Sequence, residues 1–207
     1  DVVLIPQDTR VTTVNLTTPN SQIARGSSVS DGRGTRQATL LFAPGTQASV
    51  LLPNGTTQQL ATMNVRATEF SVGANGPKAM PASLPGTVAY THAVDFSVDE
   101  AAAAGGTSVA FSQPVVFYLE NFVGFPVGGG VPLGGYDPAK DTWVPHPNGR
   151  VVKVLSVTNG KASLDITGSG QAASPIELAA LGITDAELQE VGQLYSPAQS
   201  LWRAPIP

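Results

Sequence analysis

TSVAFSQPVVFYLENFVGFPVG, residues Thr107 to Gly128, is the densest run of β-branched and aromatic side chains in the chain. Such residues fit a pleated surface buried on at least one side, so the run predicts strands at the centre of a core. Pro114 has no N–H to give to a ladder and divides the run into Val109–Phe111 and Val115–Leu119, the closing strands of a sandwich. Past Asn121 the residues turn Phe-rich and breaker-rich, so Phe122 to Val127 reads as an exit into a second unit.

Composition sets the class. The 207 residues include 22 Gly and 17 Pro, are 42% hydrophobic and only 13% charged. That is too apolar for disorder and too rich in breakers for long helices, which leaves a mainly β architecture. With no cysteine there is neither a disulfide framework nor a thiolate metal site. A net charge of -4, with 11 Lys and Arg spread thinly, argues against a nucleic-acid partner, because phosphate neutralisation needs clustered cations. No apolar run approaches the roughly 20 residues of a membrane span, so no membrane insertion is expected. The chain opens at Asp1 without Met or a targeting segment and reads as a fragment of a longer protein.

Outward from the central run, Asp1–Pro6 and Thr9–Leu16 alternate like short edge strands, and Asn20–Arg36 reads as a loop in which Gln22–Ala24 can pair. Arg36–Phe42 and Ala48–Leu52 flank Ala43-Pro44-Gly45-Thr46 at the spacing of a hairpin. Asn54-Gly55 supplies a second turn before the alternating stretch Ala61–Phe70. Gly73–Pro85 is a long loop, and Ala89–Val98 a strand with His92, Val94, Phe96 and Val98 on one face. Asp99–Gly106 allows at most one helical turn. Gly124–Gly135 is the expected boundary region. Beyond it, Asn148-Gly149 and Asn159-Gly160 predict turns among the strands Thr142–Val144, Arg150–Val157 and Lys161–Ile166. Ser174 with Glu177, and Thr184 with Glu187, fit capping boxes. The stripe Ile183, Leu188, Val191 and Leu194 predicts a helix over Asp185–Tyr195.

Few constellations point to chemistry, and no residue is assigned a catalytic, cofactor-binding or metal-ligating role. His92 reads as a half-buried structural residue, and His146 between two prolines as an exposed loop residue. Ser112, His92 and Asp95 make a triad only on paper. Asp165 to Gly170 echoes a calcium loop, but Ile176 stands where the bidentate Glu belongs, so a turn before a helix accounts for it better. The hairpin tip from Tyr136 to Trp143 reads first as a turn leading to a core tryptophan, and second as an exposed recognition tip in which Tyr136 and Trp143 stack on a glycan.

Several ordered motifs carry a resemblance: Thr35 to Phe42, Phe117 to Gly128, Gly135-Tyr136-Asp137 with Trp143-Val144, Asn148 to Lys153, Leu181-Gly182-Ile183-Thr184 and Leu201 to Ile206. Together, over about Arg25 to Pro207, they resemble the region just upstream of the repeat shell in large bacterial Rhs/YD-repeat proteins. More distantly, the pattern of turn, Pro-rich loop and Phe-Ser-x-Pro-Val strand is similar to the ZU-type β-sandwich of ankyrins and netrin receptors. The resemblance implies N-terminal strands and linker over 1–29, an antiparallel sandwich over 30–122, and over 123–207 a smaller β unit with one or two short helices near the C-terminus. It implies a non-enzymatic module, secreted or at the bacterial cell surface, whose partners are the repeat-shell domains of the same polypeptide. Phe122, Phe125, Val127 and Trp202 are the residues expected to pack between domains or against that shell, as a broad apolar patch. Two alternatives stand beside it: a self-cleaving module with its nucleophile beyond Pro207, and a carbohydrate-binding or adhesion sandwich.

Overall fold

Val115–Glu120 forms a strand whose alternate side chains enter two different cores. Val115, Phe117 and Leu119 face one, Val116 and Tyr118 the other. A run apolar at every position, rather than every second one, is what a strand covered on both faces requires. The computed structural model describes residues 3–82 and 91–206. In chain order the strands are β1 (Thr12–Asn15), β2 (Gln22–Arg25), β3 (Val29–Asp31), β4 (Gly34–Arg36), β5 (Thr39–Phe42), β6 (Ala48–Leu51), β7 (Thr57–Leu60) and β8 (Thr62–Glu69). They continue with β9 (Val94–Val98), β10 (Ser108–Phe111), β11 (Val115–Glu120), β12 (Gly130–Asp137), β13 (Thr142–Thr158), β14 (Lys161–Asp165) and β15 (Ser200–Ile206). The helices are α1 (Asp99–Ala103), α2 (Pro175–Ala180) and α3 (Asp185–Leu194).

The central layer is an antiparallel sheet in the order β12-β13-β15-β11-β5-β2, with β14 pairing the far end of β13. One face carries Leu40, Phe42, Phe117, Leu119, Val151 and Trp202 against the two three-stranded sheets β1-β8-β9 and β10-β6-β7. The other carries Leu41, Tyr118, Val152 and Leu201 against Leu188 and Val191 of α3 and Tyr195, which caps its C-terminus. The fold is thus mainly β, a sandwich with short helices near the C-terminus. Each side chain of this size taken fully out of water stabilises the fold by about 1.5–3 kcal/mol.

Strand β15, from the end of the chain, lies between β13 and β11, with Leu119 opposite Trp202 and Tyr118 opposite Arg203. Residues on both sides of the 122/123 boundary therefore share one hydrogen-bonded sheet.

Several turn expectations are corrected by this topology. Ala43-Pro44-Gly45-Thr46 does turn, with Thr46 N–H on Ala43 O at 3.1 Å, but it makes no hairpin. Strand β5 pairs with β2 and β11 while β6 pairs with β7 and β10, so the turn hands the chain from one sheet to another. Gln113 fixes this corner from the bend between β10 and β11, donating to Thr46 Oγ1 at 2.8 Å. Asn148-Gly149 is not a turn but lies inside β13. Gly149 is there for proximity: a Cβ would sit 2.6 Å from Arg203 O of β15. Asn159-Gly160 is a true two-residue hairpin, with φ of 52° and 78° in the left-handed region. The Asn54-Gly55 turn joins β6 to β7. Part of the loop Asn20–Arg36 is the hairpin β3–β4, and residues 3–6 form no strand. Residues 83–90, and with them parts of the expected loop Gly73–Pro85 and strand Ala89–Val98, lie outside the described residues, as does Pro207. Among the described residues, no helix is long and apolar enough to cross a membrane.

Candidate functional site

Strand β4 ends on Arg36 and β8 on Glu69, and the sandwich brings the two together beneath Phe122. Arg36 is completely buried. Its guanidinium grips Asp31 through Nη1 and Nη2 at 3.1 and 2.9 Å, and Glu69 Oε1 through Nε and Nη2 at 2.9 and 2.7 Å. Its carbon stands 4.5 Å from the centroid of the Phe122 ring. Ser71 Oγ donates to the same Glu69 oxygen at 2.5 Å, and His92 Nδ1 lies 3.3 Å from it. The imidazole stacks on Phe117 at 6.2 Å. Burial works to raise the Glu69 pKa, but hydrogen bonds from His92, Arg36 and Ser71 prevail and hold it at about 2, against an ordinary 4.5. Burial also works against the Arg36 charge, and Asp31 and Glu69 outweigh it and raise its pKa.

Ser71, His92 and Glu69 have the residue types of an acid–base relay without its geometry. The relay needs the serine on one imidazole nitrogen and the carboxylate on the other. Here both face Nδ1, while Nε2 is buried with no hydrogen-bond partner among the described residues. The paper triad is not assembled either, since Ser112 Oγ accepts from Gln47 N–H at 2.9 Å and His92 is engaged with Glu69.

A second buried cluster sits on the other face of the central sheet. Glu187 Oε1 accepts from Tyr118 Oη at 2.5 Å and Arg203 Nε at 2.6 Å, and its Oε2 from Arg203 Nη2 at 2.9 Å. Arg203 Nη1 caps Leu181 O at 3.0 Å. Burial raises the Tyr118 pKa well above its ordinary value, and the Glu187 charge adds to it. At Thr184 only half of the expected capping box forms: the hydroxyl accepts from Glu187 N–H, while the Glu187 carboxylate turns inward to Arg203. At Ser174 the reciprocal box is complete.

Phe122, Phe125 and Trp202 pack together at one margin of the larger core. Trp202 is 3% exposed, with Phe125 stacked on it at 5.3 Å and Phe122 tilted against it at 5.2 Å. Val127 packs at the margin of the same core. Phe122, Phe125 and Val127 are half-buried, and the chain itself supplies stacking partners for the two phenylalanine rings and Trp202. Asn121 organises them. Its Oδ1 accepts from Trp202 Nε1 at 2.7 Å and Phe125 N–H at 2.9 Å, and its Nδ2 donates to Phe125 O at 2.8 Å.

At the tip, Tyr136 and Trp143 are half-buried and packed edge to face at 5.7 Å. Tyr136 Oη donates to Asp141 at 2.6 Å and Trp143 Nε1 to Ala82 O at 3.2 Å. His146, expected in an exposed loop, is half-buried in β13 opposite Leu133. Asp165 is 2% exposed and turned inward, accepting from the N–H groups of Thr167, Gly168 and Gly170. Its lone pairs bind the turn itself, which is the bland meaning of the calcium-loop echo. Among the described residues, no three His, Asp or Glu side chains converge as a metal site.

An opening of about 360 Å³ lies between β14, α2 and α3, and an apolar slot of about 400 Å³ lies where β9, α1 and β10 meet the central sheet. Its floor includes the buried Leu40 and Phe42, and its walls the half-buried Phe96, Val98 and Phe111. No residue pattern announces it, since it arises from where the two small sheets stop. Comparison with protein-family models, curated proteins and solved structures returned no match.

Proposed function

We propose that the chain is a non-catalytic structural module of a large bacterial Rhs/YD-repeat-type protein, secreted or at the cell surface, and that it packs against or plugs the β-shell enclosing a cargo. One observation carries the reading. The chemically capable clusters are closed on themselves, Arg36 with Asp31 and Glu69, and Arg203 with Glu187 and Tyr118, while the apolar slot is open and, among the described residues, the outer edges of β9 and β10 beside it are unpaired. Side chains engaged in this way stabilise and position, whereas an apolar opening in a β layer invites packing.

The ordered motifs from Thr35 to Ile206 that resemble the region upstream of a repeat shell supply the partner. The test is to mix the 207-residue chain with the separately produced repeat shell of the longer protein. Expected is co-elution as one complex at micromolar concentration, followed by sedimentation analysis. Two species that migrate independently at those concentrations end the proposal.

A further inference from the structure

We propose that the open edge of β9 is a strand-addition site, which accepts an extended peptide segment with apolar side chains at alternate positions and a lysine or arginine facing Asp95. The inference deepens the structural-module reading and rests on it: the segment is a strand of the neighbouring repeat shell.

Among the described residues, β9 pairs only with β8 and β10 only with β6. Both contribute residues to the slot, so among the described residues two strands with an unpaired ladder edge border it. Unpaired N–H and C=O groups beside an apolar cavity ask for an occupant with its own backbone donors and acceptors. An alkyl chain fills such a cavity but leaves the edges unanswered. Along β9, Val94, Phe96 and Val98 face the core, Phe96 to Val98 border the slot with Ile206 at the end of β15, and strand alternation puts Asp95 on the opposite face. A strand laid beside β9 sends every second side chain over Phe42 and Ile206 and presents the others next to Asp95.

Charge fixes the second half of the assignment. Asp99 and Glu100, which follow on α1, are engaged with Arg66 and Asn64. Asp95 has no such partner among the described residues, and surrounding chain partly desolvates it and pushes its carboxyl up. No Lys or Arg lines the slot. A cationic strand supplies what this acid lacks, and an anionic one meets repulsion.

The probes are two labelled octapeptides that alternate valine with threonine, one with lysine and one with glutamate at the central outward position. Fluorescence anisotropy of the wild-type chain should show saturable binding, about fivefold tighter for the lysine peptide. Asp95→Lys, a change at an exposed site, should invert that preference. Ala102→Trp, at the exposed rim of the slot, should weaken both peptides by about tenfold while circular dichroism stays unchanged.

No saturable binding to the wild type, or a preference that Asp95→Lys leaves unmoved, overturns the proposal. So does a dimer that Ala102→Trp dissolves, which gives the slot to a second copy, or an alkyl ligand retained in native mass spectrometry. If the shell still co-elutes with the wild type while the peptides fail, strand addition falls and the structural reading stands. If the peptides bind and the shell does not co-elute, the shell reading falls.

Discussion

Glu69 Oε1 receives Arg36, Ser71 and His92 together, so one carboxylate oxygen ties the end of β8 to β4 and to the residues leading into β9. The consequence for stability follows from the sign of its shift. With its pKa held at about 2 in the fold and near 4.5 when free, Glu69 stabilises the protein fully above pH 4.5 and loses that contribution as the pH falls toward 2. Glu69→Gln removes the charge that Arg36, with no exposed surface, relies on. We expect it to cost about 3 kcal/mol at pH 7, read from urea midpoints, with the gap to wild type narrowing from pH 4.5 downward. A gap that is constant over this range would mean that the ionised carboxylate contributes nothing.

At the scale of elements, two glutamates at the same position of two short helices do different jobs. Glu177 closes the capping box of α2 on an exposed surface, while Glu187 leaves its own box and anchors α3 to β11 and β15 through Tyr118 and Arg203. Glu177→Ala should cost about 1 kcal/mol. Glu187→Ala should cost about 3–5 kcal/mol, because it leaves Arg203 buried and unpaired. Thermal unfolding monitored in the far ultraviolet separates the two, and equal losses would contradict the anchoring role.

The contrast marks what the sequence makes legible. The i, i+3 spacing of Ser174 and Glu177 acts within one helical turn, and the Asn159-Gly160 hairpin within four residues, so both can be read locally. Glu187 gives the same local pattern as Glu177, but its carboxylate answers an arginine on a strand that arrives later in the chain. Gly149 looks like half of a turn, and only the nearness of Arg203 O explains it. Asn121, Arg36 and Glu69 were likewise silent, because their partners are chosen by which strands meet.

For the whole molecule, the same limit applies to pairing. The apolar run around Val115 and the mainly β class follow from composition and periodicity. The position of β15 between β13 and β11 does not, since alternation predicts a strand and not its neighbours. That position makes β15 a keystone: Trp202 and Ala204 complete one core, and Leu201 and Arg203 the other face. A chain ending at Gln199 should lose cooperative unfolding and bind a hydrophobic dye, while in the intact chain the amides of β11 and β15 should exchange most slowly with deuterium. Slow exchange confined to β6 and β7 would place the stable centre elsewhere.

The same keystone imposes an order in time. As the polypeptide leaves the ribosome, β11 is complete long before β15, with β12 to β14, α2 and α3 still to be made. At about 5–20 residues per second, the side of β11 destined for β15 stays unpaired for several seconds, beside a Phe-rich segment whose stacking partner Trp202 does not yet exist. This nascent interval, rather than the finished fold, is when the chain is most prone to aggregate and has most to gain from a chaperone.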